Sequence, residues 1–318
     1  MSEAPGSSTP GLIPEGVDIR PPARQGERAL ARRRRMTAYG LLLPGSAYML
    51  IWFLIPLAII VYTSLESGGI FSGGYSFTWE WSNYTEGWSQ FRDAYVRSVV
   101  YAGLATLIAM ILSYPMSYWI AFYGGKWKST LFMMILVPFF VSFVIRTVQW
   151  GFILGDDGLL FGPLKNIGLL PQDFRVLQTK YAVIAGIAYN FLPFTALPLY
   201  VSLERIDRRL VEAAKDLYAT RFQAFRKVVL PLTYPGIFAA IILTFVPATG
   251  DYVNSSILGG PSTFMIGQGI QREFLQSLNY PLASALSVIL MIGMLIIAVG
   301  YARALGTEDA ALAAGAGG

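Results

Sequence analysis

Asp251 stands at the end of an apolar segment beside Tyr252 and Asn254, and Asn190, Thr195 and Thr244 lie inside such segments. A polar group in apolar surroundings either contacts something that passes or bridges two helices. Arg146 lies near the end of another apolar run, where a long cation is expected to reach for the membrane interface. The usual agents of catalysis are missing. The sequence has no cysteine and no histidine, which removes thiolate nucleophiles, disulfides, imidazole bases and the commonest metal ligands. No HExxH and no GxxxxGK[S/T] phosphate loop occurs, so neither a zinc site nor a nucleotide site is expected. What remains is binding chemistry, together with the elements that must hold these residues in place.

Those elements are apolar. Of 318 residues, 54% are hydrophobic and 14% charged, with a mean hydropathy of +0.52. A soluble domain carries about a quarter charged residues, so the composition is that of a membrane protein. Segments 38–65, 96–123, 129–150, 181–203, 231–252 and 282–305 are each long enough for a hydrocarbon core that takes about 20 residues to cross. The basic residues fall in blocks between them: Arg20, Arg24, Arg28 and Arg32 to Arg35 before the first, Lys126 and Lys128 in a short turn, and Arg205, Arg208, Arg209, Lys215, Arg221, Arg226 and Lys227 in a longer connection. The alternate connections carry Glu66, Glu80, Glu86, Asp93, Asp156, Asp157, Asp173 and Asp251. By the positive-inside rule both termini face the cytoplasm, and the net charge of +5 is topology rather than a nucleic-acid grip.

The expected fold class is therefore all-α, a polytopic membrane protein of six transmembrane helices. Residues 1–35 read as a disordered basic cytoplasmic tail, 36–305 as the membrane domain, and 306–318 as a flexible C-terminal tail. The apolar run after the arginines is too long for the signal-peptide core it superficially resembles. Prolines 44, 56, 115, 138, 193, 198, 235 and 247 fall within the spans and favour a bundle around a pathway. In the connection 66–97, Trp79, Trp81, Tyr84 and Trp88 are expected to form an interfacial aromatic belt.

The connection 204–231 departs from this pattern by laying down charged, helix-forming sequence. Ile206, Leu210, Ala213, Ala214 and Leu217 fall at i, i+4, i+7, i+8 and i+11, one face of a helix. Asp207 is placed to cap it. Phe222, Phe225 and Val229 make a second apolar set, and Thr220 with Gln223 matches a capping box at its start. The reading is helix, break, helix, with Pro231 opening the fifth span. Acidic and basic residues alternate on its polar face, which suits a protein partner better than a lipid surface.

Glu212-Ala213-Ala214, closed by Leu230-Pro231, resembles the EAA loop of ABC importer permeases. The segment PATGDYVNSSILGGPSTFMIGQGIQREFLQSLNYPLASALS and the opening YGLLLPGSAYMLIWFLIPL are similar to the spermidine/putrescine permeases of that family, the first of the two, over roughly residues 38 to 305. The resemblance implies a heterodimer with a second permease subunit, two ATPase subunits at the cytoplasmic face that hold ATP and magnesium, and an external substrate-binding protein. It implies that Leu210, Glu212, Ala213, Ala214, Leu217, Tyr218, Phe222 and Phe225 couple to the ATPase. For a polycation, acids and aromatics are the useful groups, so Asp251, Tyr252, Asn254, Asn190 and Thr244 are the candidate pathway residues. One position departs from the family pattern: Tyr218 stands where a glycine closes the coupling helix. The shape is expected to survive, with Thr220 supplying the second cap.

Two other classes are weaker. A secondary transporter needs buried carboxylates, and none lies near the centre of a span. Gly250-Asp251 is half of an intramembrane aspartyl-protease signature, but Ala248 stands where its first glycine belongs and no partner aspartate lies in another span. Within the permease reading, a sugar, phosphate ester, opine or ferric ion is the alternative cargo.

Overall fold

The computed structural model describes residues 24–70 and 73–315. Residues 1–23 of the expected basic tail and 316–318 of the expected C-terminal tail lie outside the described residues. α1 (Arg24–Thr63) joins the arginine run and the first apolar segment in one helix, because Arg, Ala, Leu and Glu all favour that conformation. Up to Ala58 it forms a unit of its own.

The second unit begins at Ile59. Its first element departs from an all-helical reading: β1 (Glu66–Gly69) and β2 (Gly74–Phe77) pair antiparallel, Glu66 opposite Phe77 and Gly69 opposite Gly74. α2 (Ser82–Tyr123) then takes up most of what the sequence offered as a connection. Its 42 residues rise about 63 Å, twice a hydrocarbon core. Trp81, Trp88 and Trp79 are exposed near this end, and Tyr84 is bonded through its hydroxyl to Ser64.

The third expected span is not one helix. α3 (Lys128–Leu136) passes into a 3₁₀ turn over Val137–Phe140, and α4 (Phe143–Leu154) leaves it at 91°. Pro138 has no N–H for the α ladder and crowds the preceding turn, and Val141 and Ser142 are extended at ψ 140° and 136°. With this bent pair counted as one span, the helices long and apolar enough to cross a membrane number up to six among the described residues, and otherwise five. After the short α5 (Phe161–Asn166) comes α6 (Lys180–Glu204), the most enclosed of the long helices.

Past the loop elements α7 (Arg208–Asp216) and α8 (Arg221–Ala224), a π-helical turn over Phe225–Val229 runs directly into α9 (Leu230–Thr249). The Leu230 N–H reaches back five residues to the Phe225 carbonyl, a spacing that accommodates Pro231. The second loop helix therefore does not stop before the fifth span but continues into it. α10 (Val253–Leu258), α11 (Ile266–Leu275) and α12 (Tyr280–Gly315) complete the chain. α12 carries on through the Ala-rich tail, which contains no proline to end it.

Helices inside a membrane gain little from the hydrophobic effect and are held by close approach and hydrogen bonds. α2 turns Ala102, Ala105, Ala109, Ser113 and Ser117 toward α6, all fully buried, and Ser113 and Ser117 donate to the Leu192 and Ala196 carbonyls at 3.3 and 3.2 Å. α6 meets α9 through Gly236: a Cβ there would lie 2.3 Å from the Ser202 Cβ and 2.9 Å from the Pro198 carbonyl oxygen. Thr195 and Thr244 share a hydrogen bond of 2.9 Å further along the same contact. Replacing Gly236 by Ala should cost about 1–3 kcal/mol of overpacking, seen as a lower melting temperature in detergent and partly recovered by Ser202→Gly. An unchanged melting temperature would mean the two helices do not approach this closely.

Candidate functional site

The loop between α6 and α9 is built at one end of the bundle on an aromatic cluster. Ile120, Ala121, Phe132, Tyr200, Leu203 and Val229 are its buried members, with Ile206, Val211 and Phe225 packed against them. Phe225 stands edge-on to Tyr114 and Tyr118 at 5.9 and 5.6 Å. Lys128 pairs with Glu204 where α6 ends. Arg208 donates to the Ala121 carbonyl at 2.9 Å and lies over the Phe122 ring, tying the first turn of α7 to the end of α2.

The local geometry follows from the capping residues. Asp207 Oδ1 accepts from the Arg209 N–H at 2.9 Å and starts α7. The helix ends in a Schellman motif: the Ala219 N–H donates to the Ala214 carbonyl at 3.1 Å and the Tyr218 N–H to the Lys215 carbonyl at 2.9 Å. That closure needs a left-handed residue, and Tyr218 supplies it at φ 60°. For a residue with a Cβ that conformation costs about 1–2 kcal/mol. Thr220 then opens α8 with both arms of a capping box, the Gln223 N–H donating to Thr220 Oγ1 at 3.2 Å and the Thr220 N–H to Gln223 Oε1 at 2.8 Å.

Of the residues marked for coupling, Phe225 faces the cluster and Ala214 is half-buried. Leu210, Glu212, Ala213, Leu217, Tyr218 and Phe222 are exposed, Leu217 at 81%, Tyr218 at 95% and Phe222 at 69%. None of α7 is buried in the chain. Leu217, Tyr218 and Phe222 thus form an open apolar row on a polar loop. Val211 and the Tyr114–Tyr118 cradle were absent from the sequence reading. Val211 lies off the apolar stripe, and nothing local to 204–231 points to tyrosines some hundred residues earlier.

The second set of candidates gathers at the opposite end of α9, about 30 Å away by helix rise. Asp251 Oδ1 accepts from the Val253 and Asn254 N–H groups at 2.8 and 3.2 Å, and Oδ2 accepts from Asn254 Nδ2. Asn254 Oδ1 takes a bond of 2.9 Å from Asn190 Nδ2, which also donates to Thr147 at 2.8 Å. One buried network thus links α4, α6 and α10. Its members are all buried, and no cation among the described residues pairs with Asp251. A Cβ on Gly186 would fall 2.3 Å from Leu258 Cδ1 and 2.7 Å from Asn254 Oδ1, so glycine there seats α10 on α6. Thr244 is not in this network; it bonds Thr195. Tyr252 is 46% exposed and borders a cavity of about 480 Å³ with Phe264, Gln268, Gln271 and Arg272. Arg146, expected to reach for the interface, is instead buried over the Phe139 ring at 4.4 Å.

Residues 88–306 match the model of the binding-protein-dependent transport system inner membrane component family. The chain belongs to that family. The spermidine/putrescine transport system permease protein PotB of Haemophilus influenzae is 36% identical over 263 residues, 81% of this chain and 90% of that protein. PotB of Escherichia coli is 35% identical over 212 residues, 67% of this chain and 77% of that protein. In fold, this inner membrane component is similar to a chain of a bacterial ABC transporter that imports the polysaccharide alginate, with a TM-score of 0.66 at 20% identity, covering 87% of this chain and 97% of that one. A chain of the MetNI methionine ABC transporter gives 0.52 at 17% identity, covering 68% and 95%.

The loop geometry makes a prediction readable by hydrogen exchange. Tyr218→Gly keeps the turn and removes the left-handed cost, offset by about 0.5–1 kcal/mol of added chain entropy. Amides 213–219 should exchange at the same rate or up to about tenfold slower. Thr220→Ala, which removes a cap of about 1 kcal/mol, should speed exchange at 221–224. Faster exchange in the glycine variant would show that the turn at 218 is not left-handed.

Proposed function

We propose that this chain is one of two permease subunits of an ATP-driven importer, spanning the membrane six times with both termini in the cytoplasm, and that its cargo is a polyamine of the spermidine/putrescine class. The observation that carries the ATP-driven part is the rigid, double-capped loop with Leu217, Tyr218 and Phe222 exposed. Such a loop fits a groove in an ATPase, which would hold ATP and its magnesium ion because no phosphate loop exists in this chain. The substrate class is supported by the relatives, 35–36% identical, whose names specify spermidine and putrescine. An external binding protein would deliver the cargo.

The mechanism follows from continuity. A displacement of α8 passes through the π-helical turn into α9 without a hinge residue between them. α9 is locked against α6 at Gly236 and at the Thr195–Thr244 bond, so the pair moves as a body rather than bending. At the far end lie Asp251 and its network. Its carboxylate is held by neutral donors, which leaves its charge uncompensated and attractive to a passing ammonium group. Tyr252 at the neighbouring cavity offers a ring face to the same charge, while the Phe264 ring is already covered by Arg272.

Reconstitution with the second permease, the ATPase and the binding protein tests this directly through uptake of labelled spermidine. Leu217→Asp with Phe222→Asp should abolish co-purification of the ATPase while leaving the chain folded; retained ATPase would contradict the coupling role. Asp251→Asn keeps acceptors for the α10 amides and removes the charge. It should cut uptake about tenfold without loss of ATPase stimulation, whereas wild-type uptake would confine Asp251 to capping α10.

A further inference from the structure

The break between α3 and α4 is open to the outside of the chain. Phe140, Val141 and Ser142 are exposed, as are Val144 and Ile145 in the next turn, and the Ser142 side chain makes no capping bond. From Lys128 the helix and 3₁₀ turn rise about 20 Å before the chain turns aside, within a hydrocarbon core of about 30 Å. Irregular backbone at that depth persists where protein covers it or water fills a cavity beside it, not against acyl chains.

One turn further on sits Arg146, only 8% exposed. Its guanidinium lies 4.4 Å from the Phe139 ring centre and 5.8 Å from that of Phe143. Nε and Nη1 are buried with no acceptor, and no carboxylate among the described residues pairs with it. Ring faces attract a cation but do not neutralise it, and an uncompensated buried charge is strongly unfavourable. No acid of the neighbouring elements pairs with it: the Asp251 oxygens accept from the neutral groups that open α10, and Glu273 pairs with Arg272. A transported polycation would be repelled, and lipid phosphates lie at the interface rather than at this depth.

We infer that the α3–α4 break is the docking surface for the second permease chain, and that a carboxylate of that chain compensates Arg146. The inference rests on the reading that this chain works beside a second permease. Two independent features require the same occupant: exposed irregular backbone needs a protein cover, and a buried guanidinium needs an anion. Charge complementarity selects an acidic residue in a membrane-spanning segment of the partner.

The test is co-expression of the full chain with its second permease and ATPase, purification through a tag on the second permease, and three variants. Arg146→Met keeps bulk against Phe139 and removes the charge. In the isolated chain it should melt at or above the wild-type temperature, since losing an uncompensated buried cation is neutral or stabilising. In the complex it strands the partner's carboxylate, and its recovery should fall about tenfold, with Arg146→Lys intermediate. Arg146→Glu should abolish recovery and regain it when one membrane acid of the second permease is changed to Lys. A photoreactive phenylalanine at Phe140, with Arg146 intact, should crosslink to the second permease. Recovery of the Met and Glu variants at wild-type level, crosslinks to lipid alone, or loss of a bound anionic phospholipid from an otherwise intact Arg146→Met complex would each overturn the inference. If the wild-type chain itself is not recovered with the second permease, the proposed function fails together with it.

Discussion

The contact of α6 with α9 at Gly236 is the constraint on which the rest depends. The Ser202 Cβ and the Pro198 carbonyl occupy the space a side chain at 236 would need. Between helices in lipid there is little hydrophobic force to hold them together, so dispersion contact at short range and a few hydrogen bonds must do so. That contact fixes α9 on α6 above the loop, and the Thr195–Thr244 bond fixes it again further along. Because α8 runs through the π-helical turn into α9, the second half of the loop is continuous with that helix. In the proposed coupling role, a push on α8 is a push on a helix whose other end leads to Asp251.

Three places where local sequence rules are broken are the loop tip, the α3–α4 break and the start of α10. Tyr218 takes a left-handed conformation that favours glycine, and does so at the tip of the loop. Pro138 and the extended Val141 and Ser142 interrupt a span at an exposed break. Asp251 places a charge in a buried network of neutral groups. Local inconsistency of this kind is expected where function outweighs stability.

Much of this was legible in the residues. The caps at Asp207, Thr220 and Gln223 could be read because capping is local chemistry, and the break at 218 followed from the same pattern. The apolar runs marked the membrane helices, since length and hydropathy suffice for that. The 91° break was not legible, because membrane helices often contain proline without breaking, and Pro44, Pro56 and Pro115 sit inside continuous helices here. The hairpin and the long start of α2 were missed because Gly-rich and aromatic sequence carries weak periodicity. The inward row from Ala102 to Ser117 was a readable signal, small residues three and four apart, and it would have named the α6-facing side of α2. The Asn190–Asn254 bond could not be foreseen, since it joins residues 64 positions apart by packing alone.

The absence of cysteine makes the central claim, rigid transmission from loop to bundle, directly measurable. Spin labels on cysteines introduced at Leu217 and Leu232 report the distance between the loop tip and the base of α9, by electron–electron double resonance in the reconstituted importer. The distance distribution should be the same in nucleotide-free and ATP-trapped states, while the distance from Leu217 to a label on the second permease shifts. A change in the Leu217–Leu232 distance between the two states would show that the loop hinges on α9, and rigid transmission would be wrong.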